Sequence, residues 1–219
     1  MNKKRLTRFI NKYYLNGTVN SIVLNSKSNS QKLTARFISG DKSLLGELTM
    51  DKWSFEDSDI GIYNTEQLVK LLSVVDEDIN LSLTKAGDKF EQEYAQKVIL
   101  LREVFIRLDV IKDALKGAGK GALGETDNFT IINDGGNVKV VIGHSSVNTN
   151  RVTIPVTTTK VSNIDNVSFN ANIFKEVLSA NKECETATLE VSSEGLSRIT
   201  FKVDDYESTY YLVSVQDVD

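Results

Sequence analysis

The chain has 219 residues, enough for one large domain or for two of about 110 residues each. Hydrophobic residues make up 40% of it and charged residues 26%, which is typical of a globular protein with a real core. No stretch approaches the roughly 20 apolar residues of a membrane span, and no apolar signal-peptide core follows the basic first residues, so we expect no membrane association. The single cysteine, Cys184, excludes an internal disulfide and favours the reducing cytoplasm.

The first predicted element is a helix over residues 2–15. Its apolar stripe follows helical spacing and consists of Leu6, Phe9, Ile10 and Tyr13. Its polar side carries basic residues and no acidic one: Lys3, Lys4, Arg5, Arg8 and Lys12. Residues 18–55 contain short alternating segments separated by Asn, Ser, Gly and Asp, which predict antiparallel strands. The segments are SIVL, KLTARFI, LLGELTM and WSFE.

Residues 59–83 combine a strand end, a helix, an acidic turn and a new strand. Asn64 or Thr65 is predicted to cap the helix, because a side-chain oxygen there can accept from a free amide of the first turn. One helical face is apolar, with Lys70 on the opposite face. The apolar face consists of Leu68, Leu71, Leu72 and Val75.

The pattern of residues 59–83 recurs at 166–191. Tyr63-Asn64 corresponds to Phe169-Asn170, and Leu68 to Phe174, both at a separation of 106 residues, which is close to half of the chain. Any two amphipathic helix–strand units look alike, but the near-constant separation favours a tandem duplication. We therefore predict two similar domains, at 1–108 and 109–219.

The middle of the chain is less regular. Residues 103–110 favour a strand, whereas the periodicity of 88–102 fits a helix or a strand equally. Residues 111–123 predict a third helix, with Lys112, Lys116 and Lys120 on one face. The remaining pattern predicts strands, a hairpin turn at 134–137, and a fourth helix over 171–182 whose polar face carries Lys175 and Lys182. The predicted strands are FTIIN, NVKVVIG, RVTIPVTTTKV, ATLEVS, SRITFKVD and STYYLVSV.

Charge is segregated between the helices and the rest of the chain. The four predicted helices carry eleven basic and three acidic residues, so they hold a net +8 while the remainder holds −12 of the total of −4. A single basic helix face is most often a solvated surface, but four of them in an acidic protein indicate a common role. Lysine and arginine bind backbone phosphates without reading sequence, so the helices predict a positive surface for duplex DNA.

No catalytic constellation accompanies these helices. His144, the single histidine, has no ligand-type partner at a suitable spacing, and Cys184 has no histidine near it in sequence. The stretch 117–121 is rich in glycine but lacks the spacing of a phosphate-binding loop. The acidic cluster 76–78 and the pair Asp204-Asp205 are most simply solvated turns. We therefore expect no enzyme activity, no metal site and no cofactor.

The chain resembles the sliding clamps of T-even-type phages, the trimeric processivity factors of DNA polymerases. The resemblance lies in IYNTEQLVKLLSVVDEDINLSL, in FNANIFKEVLSANKECETATLEV and in the closing VDDYESTYYLVSV, and it covers roughly 1–85 and 121–219. It implies an α+β DNA-clamp fold with two similar domains, each holding two helices on antiparallel sheets. Residues 86–108 are atypical, because 89–116 contains no Gly, Pro or Asn for the expected turns.

The resemblance also implies a function and partners. Three chains would form a homotrimeric ring around double-stranded DNA, tether a DNA polymerase, and be opened by an ATP-dependent clamp loader in the host cytoplasm. The predicted DNA-facing residues are Lys3, Lys4, Arg5, Arg8, Lys12, Lys70, Lys112, Lys116, Lys120, Lys175 and Lys182. The alternative is a phage structural or assembly protein of two β-rich domains without a DNA-sliding role. A small hydrolase using Cys184 or His144 is a third hypothesis.

Overall fold

The computed structural model describes residues 3–75, 127–142, 152–156 and 166–215, together with the backbone of 106–111. We refer to residues up to 75 as the first half and to those from 106 onward as the second half. The described helices are α1 (Lys3–Tyr14), α2 (Thr65–Val74) and α3 (Ala171–Ala180), and a 3-10 turn follows α1 at Leu15–Gly17. None of the described helices is long and apolar enough to cross a membrane.

Twelve strands are described, and all of their pairings are antiparallel. In the first half they are β1 (Ile22–Lys27), β2 (Lys32–Ile38), β3 (Leu44–Met50) and β4 (Ser58–Ile62). In the second half they are β5 (Ile106–Ile111), β6 (Asn128–Asp134), β7 (Asn137–Ile142), β8 (Val152–Val156), β9 (Val167–Asn170), β10 (Thr186–Val191), β11 (Leu196–Val203) and β12 (Tyr206–Val213).

One long sheet joins the two halves. Its eight strands run in the order β4-β1-β2-β3-β12-β11-β10-β5, so the halves meet where β3 pairs with β12. We call this pairing the seam, and its register runs from Tyr206 opposite Met50 to Leu212 opposite Leu44. A second sheet lies wholly in the second half, with the order β8-β7-β6-β9.

Alternating burial along the strands explains why each forms where it does. In β3 every second residue is buried, beginning with Leu44, and the residues between them are half-buried. The buried side chains of the two halves form one continuous core. Across the seam the rings of Phe37 and Tyr210 lie 6.2 Å apart, an edge-on aromatic contact that packs the halves together.

The hairpin predicted at 134–137 is confirmed. β6 ends at Asp134 and β7 begins at Asn137, and the two residues between them, Gly135 and Gly136, have φ values of 58° and 91°. Two positive φ values match the twist of the flanking strands, and glycine adopts them without steric cost. Pro155, the single proline, lies in β8 at the edge of the second sheet, where a missing N–H is tolerated.

Matching caps begin α2 and α3. Asn64 accepts a hydrogen bond from the backbone N–H of Gln67, and Asn170 accepts one from that of Ile173, each at 2.9 Å. The two asparagines are the corresponding residues of the predicted repeat, so the repeat reproduces a local structure as well as a sequence pattern.

Several predicted boundaries require correction. The segment WSFE at 53–56 is not a strand, and the next strand, β4, begins only at Ser58. Trp53 is instead a buried loop residue whose indole N–H donates to Ser26 Oγ at 3.0 Å. The fourth helix ends at Ala180 rather than at 182. The strand expected at 103–110 is described as β5, over Ile106–Ile111, and all of its residues pair with β10. The third helix (111–123) lies outside the described residues beyond Ile111.

The apolar face predicted for α2 is only partly buried. Leu72 is buried and Leu68 is half-buried, whereas Leu71 and Val75 are 56% and 42% exposed.

Candidate nucleic-acid interface

Helix α1 lies on the core side of the long sheet and contacts both α2 and α3. Phe9, Ile10 and Tyr13 are fully buried beneath it, so the predicted apolar stripe is confirmed. Burial raises the pKa of Tyr13 to about 12, although a hydrogen bond with Thr65 at the start of α2 opposes the shift. The described helices therefore form a layer on one face of the sheet. The predicted DNA-binding surface, which is built from helices, requires such a layer.

The basic side of α1 does not face open solvent throughout. Lys12 is 1% exposed, and its Nζ donates to Asn181 Oδ1 at 2.7 Å and to Glu183 Oε1 at 2.6 Å. A buried ammonium requires such partners because its desolvation is costly. The prediction that Lys12 faces DNA is therefore wrong, since its charge is directed into the second half of the same chain.

Arg8 and Arg5 also contact carboxylates of the second half. Arg8 lies 3.0 Å from both Glu183 and Asp204, and Arg5 forms an ion pair with Asp205. Burial opposes the charge of Arg8, but the hydrogen bonds to the two carboxylates outweigh it and raise the pKa of the guanidinium. Both arginines are partly exposed, so DNA phosphates would have to compete with these carboxylates for them.

The other described lysines of the predicted set differ in their contacts and exposure. Lys3 Nζ donates to the carbonyl of Val75 at 2.7 Å, and Lys4 is exposed on the outer side of α1. Lys70 pairs with Glu66 one helical turn earlier, with side chains 73% and 56% exposed. Lys175 is half-buried on α3 and Lys182 is exposed just after it. Lys112, Lys116 and Lys120 lie outside the described residues.

The acidic partners were not found by sequence reasoning. Asp204 and Asp205 were predicted to be a solvated turn, and Glu183 was not singled out. They lie 171 to 200 residues from their partners on α1, and no local pattern reports such a contact.

An apolar cluster on the opposite face of the long sheet was also missed. Leu45 lies opposite Ile38 on β2 and opposite Tyr211 on β12, and Val213 lies opposite Leu196 on β11. These five residues, the outer cluster, are half-buried or exposed, whereas their strand neighbours Leu44, Tyr210 and Leu212 are buried on the helix side. Their sequence signal is the loss of alternation in Leu44-Leu45 and in 210–213, where both faces of a strand are apolar.

Catalytic or metal chemistry has little support in the described part of the chain. Cys184 is buried at 1% exposure, which is unlike an accessible nucleophile. Among the described residues no group of three or more His, Cys, Asp or Glu side chains is arranged to hold a metal ion. His144 lies outside those residues.

Comparison with known proteins is informative at the level of structure. The sequence matches no protein-family model and no curated protein. The fold is similar to that of the proliferating cellular nuclear antigen from Entamoeba histolytica, with a TM-score of 0.69 and 12% identity over 98% of this chain and 96% of that chain.

Two further solved structures agree. The PCNA2–PCNA3 complex from Sulfolobus tokodaii gives a TM-score of 0.70 at 10% identity, over 98% of this chain and 97% of that chain. PCNA from Thermococcus kodakaraensis gives 0.66 at 13% identity, over 98% of each chain. At such identities the likeness shows the fold alone. The α+β class predicted from the sequence is confirmed, and the chain has the DNA-clamp fold.

Proposed function

We propose that the chain is a sliding clamp, which encircles double-stranded DNA and tethers a replicative DNA polymerase in phage DNA replication. The observation that carries this proposal is the similarity of nearly the whole chain, 98%, to structures with the DNA-clamp fold. The phage origin is supported by the sequence resemblance of the two repeated segments and of the closing strand. In this proposal the protein has no chemistry of its own, and an ATP-dependent loader opens the ring.

The proposed ring contains three chains, each contributing two similar domains. Head-to-tail interfaces close into a ring when the rotation per chain divides a full turn. Light scattering across a concentration series is expected to give about 73 kDa, three times the 24.4 kDa chain.

We propose that lysines form most of the DNA-facing surface. The described members are Lys3, Lys4, Lys70, Lys175 and Lys182, and Lys112, Lys116 and Lys120 belong to the same proposal. Arg5 and Arg8 would add to it only where phosphates displace their carboxylates, and Lys12 is not included. Contacts of lysine with phosphate carry no sequence information, which suits a ring that moves along DNA.

Topological binding is tested without a loader by threading the protein onto DNA. A duplex is fixed to a bead at one end, the protein is allowed to pass over the free end, and that end is then blocked with a bulky antibody. A clamp is expected to remain through a wash at about 0.5 M salt, where phosphate contacts alone are lost, and to be released when the duplex is cut. Elution by salt alone, from blocked and open DNA alike, would contradict encirclement.

The proposed DNA-facing surface is tested by charge reversal at matched positions. Lys4→Glu, Lys175→Glu and Lys182→Glu together are expected to slow loading several-fold, because steering of a polyanion depends on local charge. The control carries the same change in net charge on strands and turns, at Lys27, Lys42 and Lys202. Equal effects of the two triple variants would contradict the proposal that the helix side faces DNA. If the chain is instead a phage assembly protein, which is the alternative function, neither triple variant will be retained on the blocked DNA.

The outer cluster is our candidate for the polymerase-binding surface. Clamp partners commonly dock a short hydrophobic tail near the C-terminal strands, and the outer cluster places Leu45, Tyr211 and Val213 beside the seam on the face away from the helices. Val213 is 50% exposed, and an apolar side chain in such a patch gains free energy by being covered.

Tyr211→Ala is expected to weaken binding of the polymerase from the same source at least about tenfold, as for an aromatic anchor of an interface, while leaving threading onto DNA unchanged. Glu207→Gln, on β12 away from the cluster, is the control. Polymerase binding by Tyr211→Ala at full strength would remove this surface from the proposal.

A further inference from the structure

We propose that the basic side of α1 is an intramolecular latch, which fixes the first half of the chain on the second half and thereby sets the angle at which a ring can close. The latch consists of Arg5, Arg8 and Lys12 on α1 with Glu183, Asp204 and Asp205 on two turns of the second half. Its role in ring closure depends on the proposed function, whereas its role in holding α1 does not.

The inner part of the latch is an ion pair between buried Lys12 and half-buried Glu183. Lys12 is 1% exposed, and it reaches Glu183, Asn181 and, at 3.4 Å, the carbonyl of Ala180. All three partners lie at or just beyond the end of α3. A buried charge that keeps its partners is tolerated, and removing one partner leaves the other uncompensated at a large cost.

Asn181 connects this ion pair to the seam. It is 0% exposed, and its Nδ2 donates to the carbonyl of Val177 at 2.8 Å and to Tyr210 Oη at 3.0 Å. Its Oδ1 accepts from Ser208 Oγ at 2.9 Å as well as from Lys12. Tyr210 Oη in turn donates to the carbonyl of Lys12 at 2.8 Å. A buried network in which each of these groups has partners is satisfied in one arrangement of its elements, so it specifies where α1 lies.

The outer part of the latch holds the turn between β11 and β12. Arg8 bridges Glu183 and Asp204, and its guanidinium lies 4.5 Å from the centre of the Tyr206 ring. Tyr206 Oη donates to the carbonyl of Arg5 at 3.1 Å, and Arg5 pairs with Asp205. Three contacts with one helix therefore hold the turn.

Arg5 also contacts the first half beside the seam. Its guanidinium donates to the carbonyls of Asp51 and Lys52, at 2.8 and 3.1 Å. The backbone N–H of Asp51 donates to the carbonyl of Asp205 at 2.8 Å, one step beyond the last β3–β12 pair. The outer latch thus extends the seam from the sheet into the helix layer.

The layered arrangement explains what the latch adds. The seam and the shared core already join the two halves. The latch adds a further set of contacts, made by the polar side of α1 with two turns of the second half. Since a head-to-tail ring closes only at one rotation per chain, a small change of angle within each chain prevents closure.

The proposal is tested by hydrogen exchange of the full chain. In Lys12→Met the amides of α1 are expected to exchange at least about tenfold faster than in the wild type, while those of β2 stay protected. Glu183→Gln keeps a hydrogen-bond acceptor of the same shape and is expected to give a smaller acceleration of the same amides. Lys202→Met is the control, because it breaks an exposed ion pair with Glu207 that contributes little and lies outside the proposed DNA-facing surface.

Ring closure is measured on the same variants by light scattering and by threading onto blocked DNA. Loss of the trimer mass in Lys12→Met and in Glu183→Gln, with the far-UV spectrum retained, would support the latch, whereas unchanged α1 exchange in both would overturn it. If the wild type itself neither forms a ring nor threads, the clamp function fails and the exchange data still decide whether α1 is latched.

Discussion

At the scale of single residues, Gly46 shows how tightly the seam is packed. It lies in β3 opposite both Phe37 and Tyr210, and a Cβ added to it would lie 2.1 Å from Cζ of Phe37. The absence of a side chain allows the Phe37 ring to lie against the backbone.

Gly46→Ala is therefore expected to lower the free energy of unfolding by about 1–3 kcal/mol, because the ring must move within a filled core. Urea denaturation measures the loss. Gly40→Ala is the control, since a Cβ there would have no neighbour within 4 Å. Equal stability of the two variants would show that the core at the seam is able to relax.

A second prediction at this scale concerns the pH dependence contributed by Glu183. Burial opposes its ionisation, but hydrogen bonds from Lys12 and Arg8 prevail and lower its pKa. Asp204 shares Arg8 with Glu183. Tyr206 and Tyr210 also pack around this cluster, and the pKa of each is raised, mainly by burial, so both are neutral in acid.

Because its pKa is lower in the folded state, Glu183 stabilises folding above its unfolded pKa, and this contribution is lost as the pH falls through the folded value. At neutral pH the free energy of unfolding of the wild type is expected to exceed that of Glu183→Gln by about 1–3 kcal/mol, and this gap should narrow as the pH falls below the ordinary glutamate pKa of about 4.3. Urea denaturation at a series of pH values measures it. A gap that is independent of pH would show that the charge of Glu183 does not contribute.

The residues of α1 also show where inference from sequence ends. Helical spacing correctly assigns Phe9 and Tyr13 to the core, because the core side of a helix is determined by its own pattern. The same spacing places Lys12 on a polar face, but a polar face can meet solvent, DNA or another part of the chain. Only the contact with Glu183, 171 residues away, decides between them.

At the scale of elements, the cap of α2 was predicted best. Asn64 or Thr65 was expected to cap that helix and Asn64 does, while Asn170, its counterpart in the predicted repeat, caps α3 in the same way. The segment WSFE was predicted wrongly because two aromatic residues alternating with polar ones satisfy a strand pattern by chance, while Trp53 fills a core site from a loop. The pairing of β3 with β12 has no local signal at all, since it depends on strands far apart in sequence.

Removing the two caps is expected to have equal and additive effects. Asn64→Ala and Asn170→Ala should each lower the free energy of unfolding by about 1 kcal/mol, and the double variant by the sum, because the caps share no partner. Denaturant titration measures the three values. Asn11→Ala, at an exposed position within α1, should cost nothing because alanine favours the helix. A loss at Asn64 alone would contradict the structural equivalence of the repeats.

At the scale of the whole molecule, the shared sheet and core predict that the halves unfold together. Trp53 is the single tryptophan and reports on the first half, whereas far-UV circular dichroism reports on all of the backbone. The two probes are expected to give the same midpoint in urea, as two-state unfolding requires. Separate midpoints would show that the seam and the latch do not couple the halves.

The distance along the chain between the two sides of the seam has a consequence for biosynthesis. Lys12 is translated 171 residues before Glu183, and its carbonyl meets Tyr210 only 198 residues later. At 5–20 residues per second, the first helix waits roughly 10–40 seconds on the ribosome for its partners. During that time the edge of β3 and the charges of α1 are open to other molecules. We therefore expect the first half to be prone to aggregation until the second half has been made.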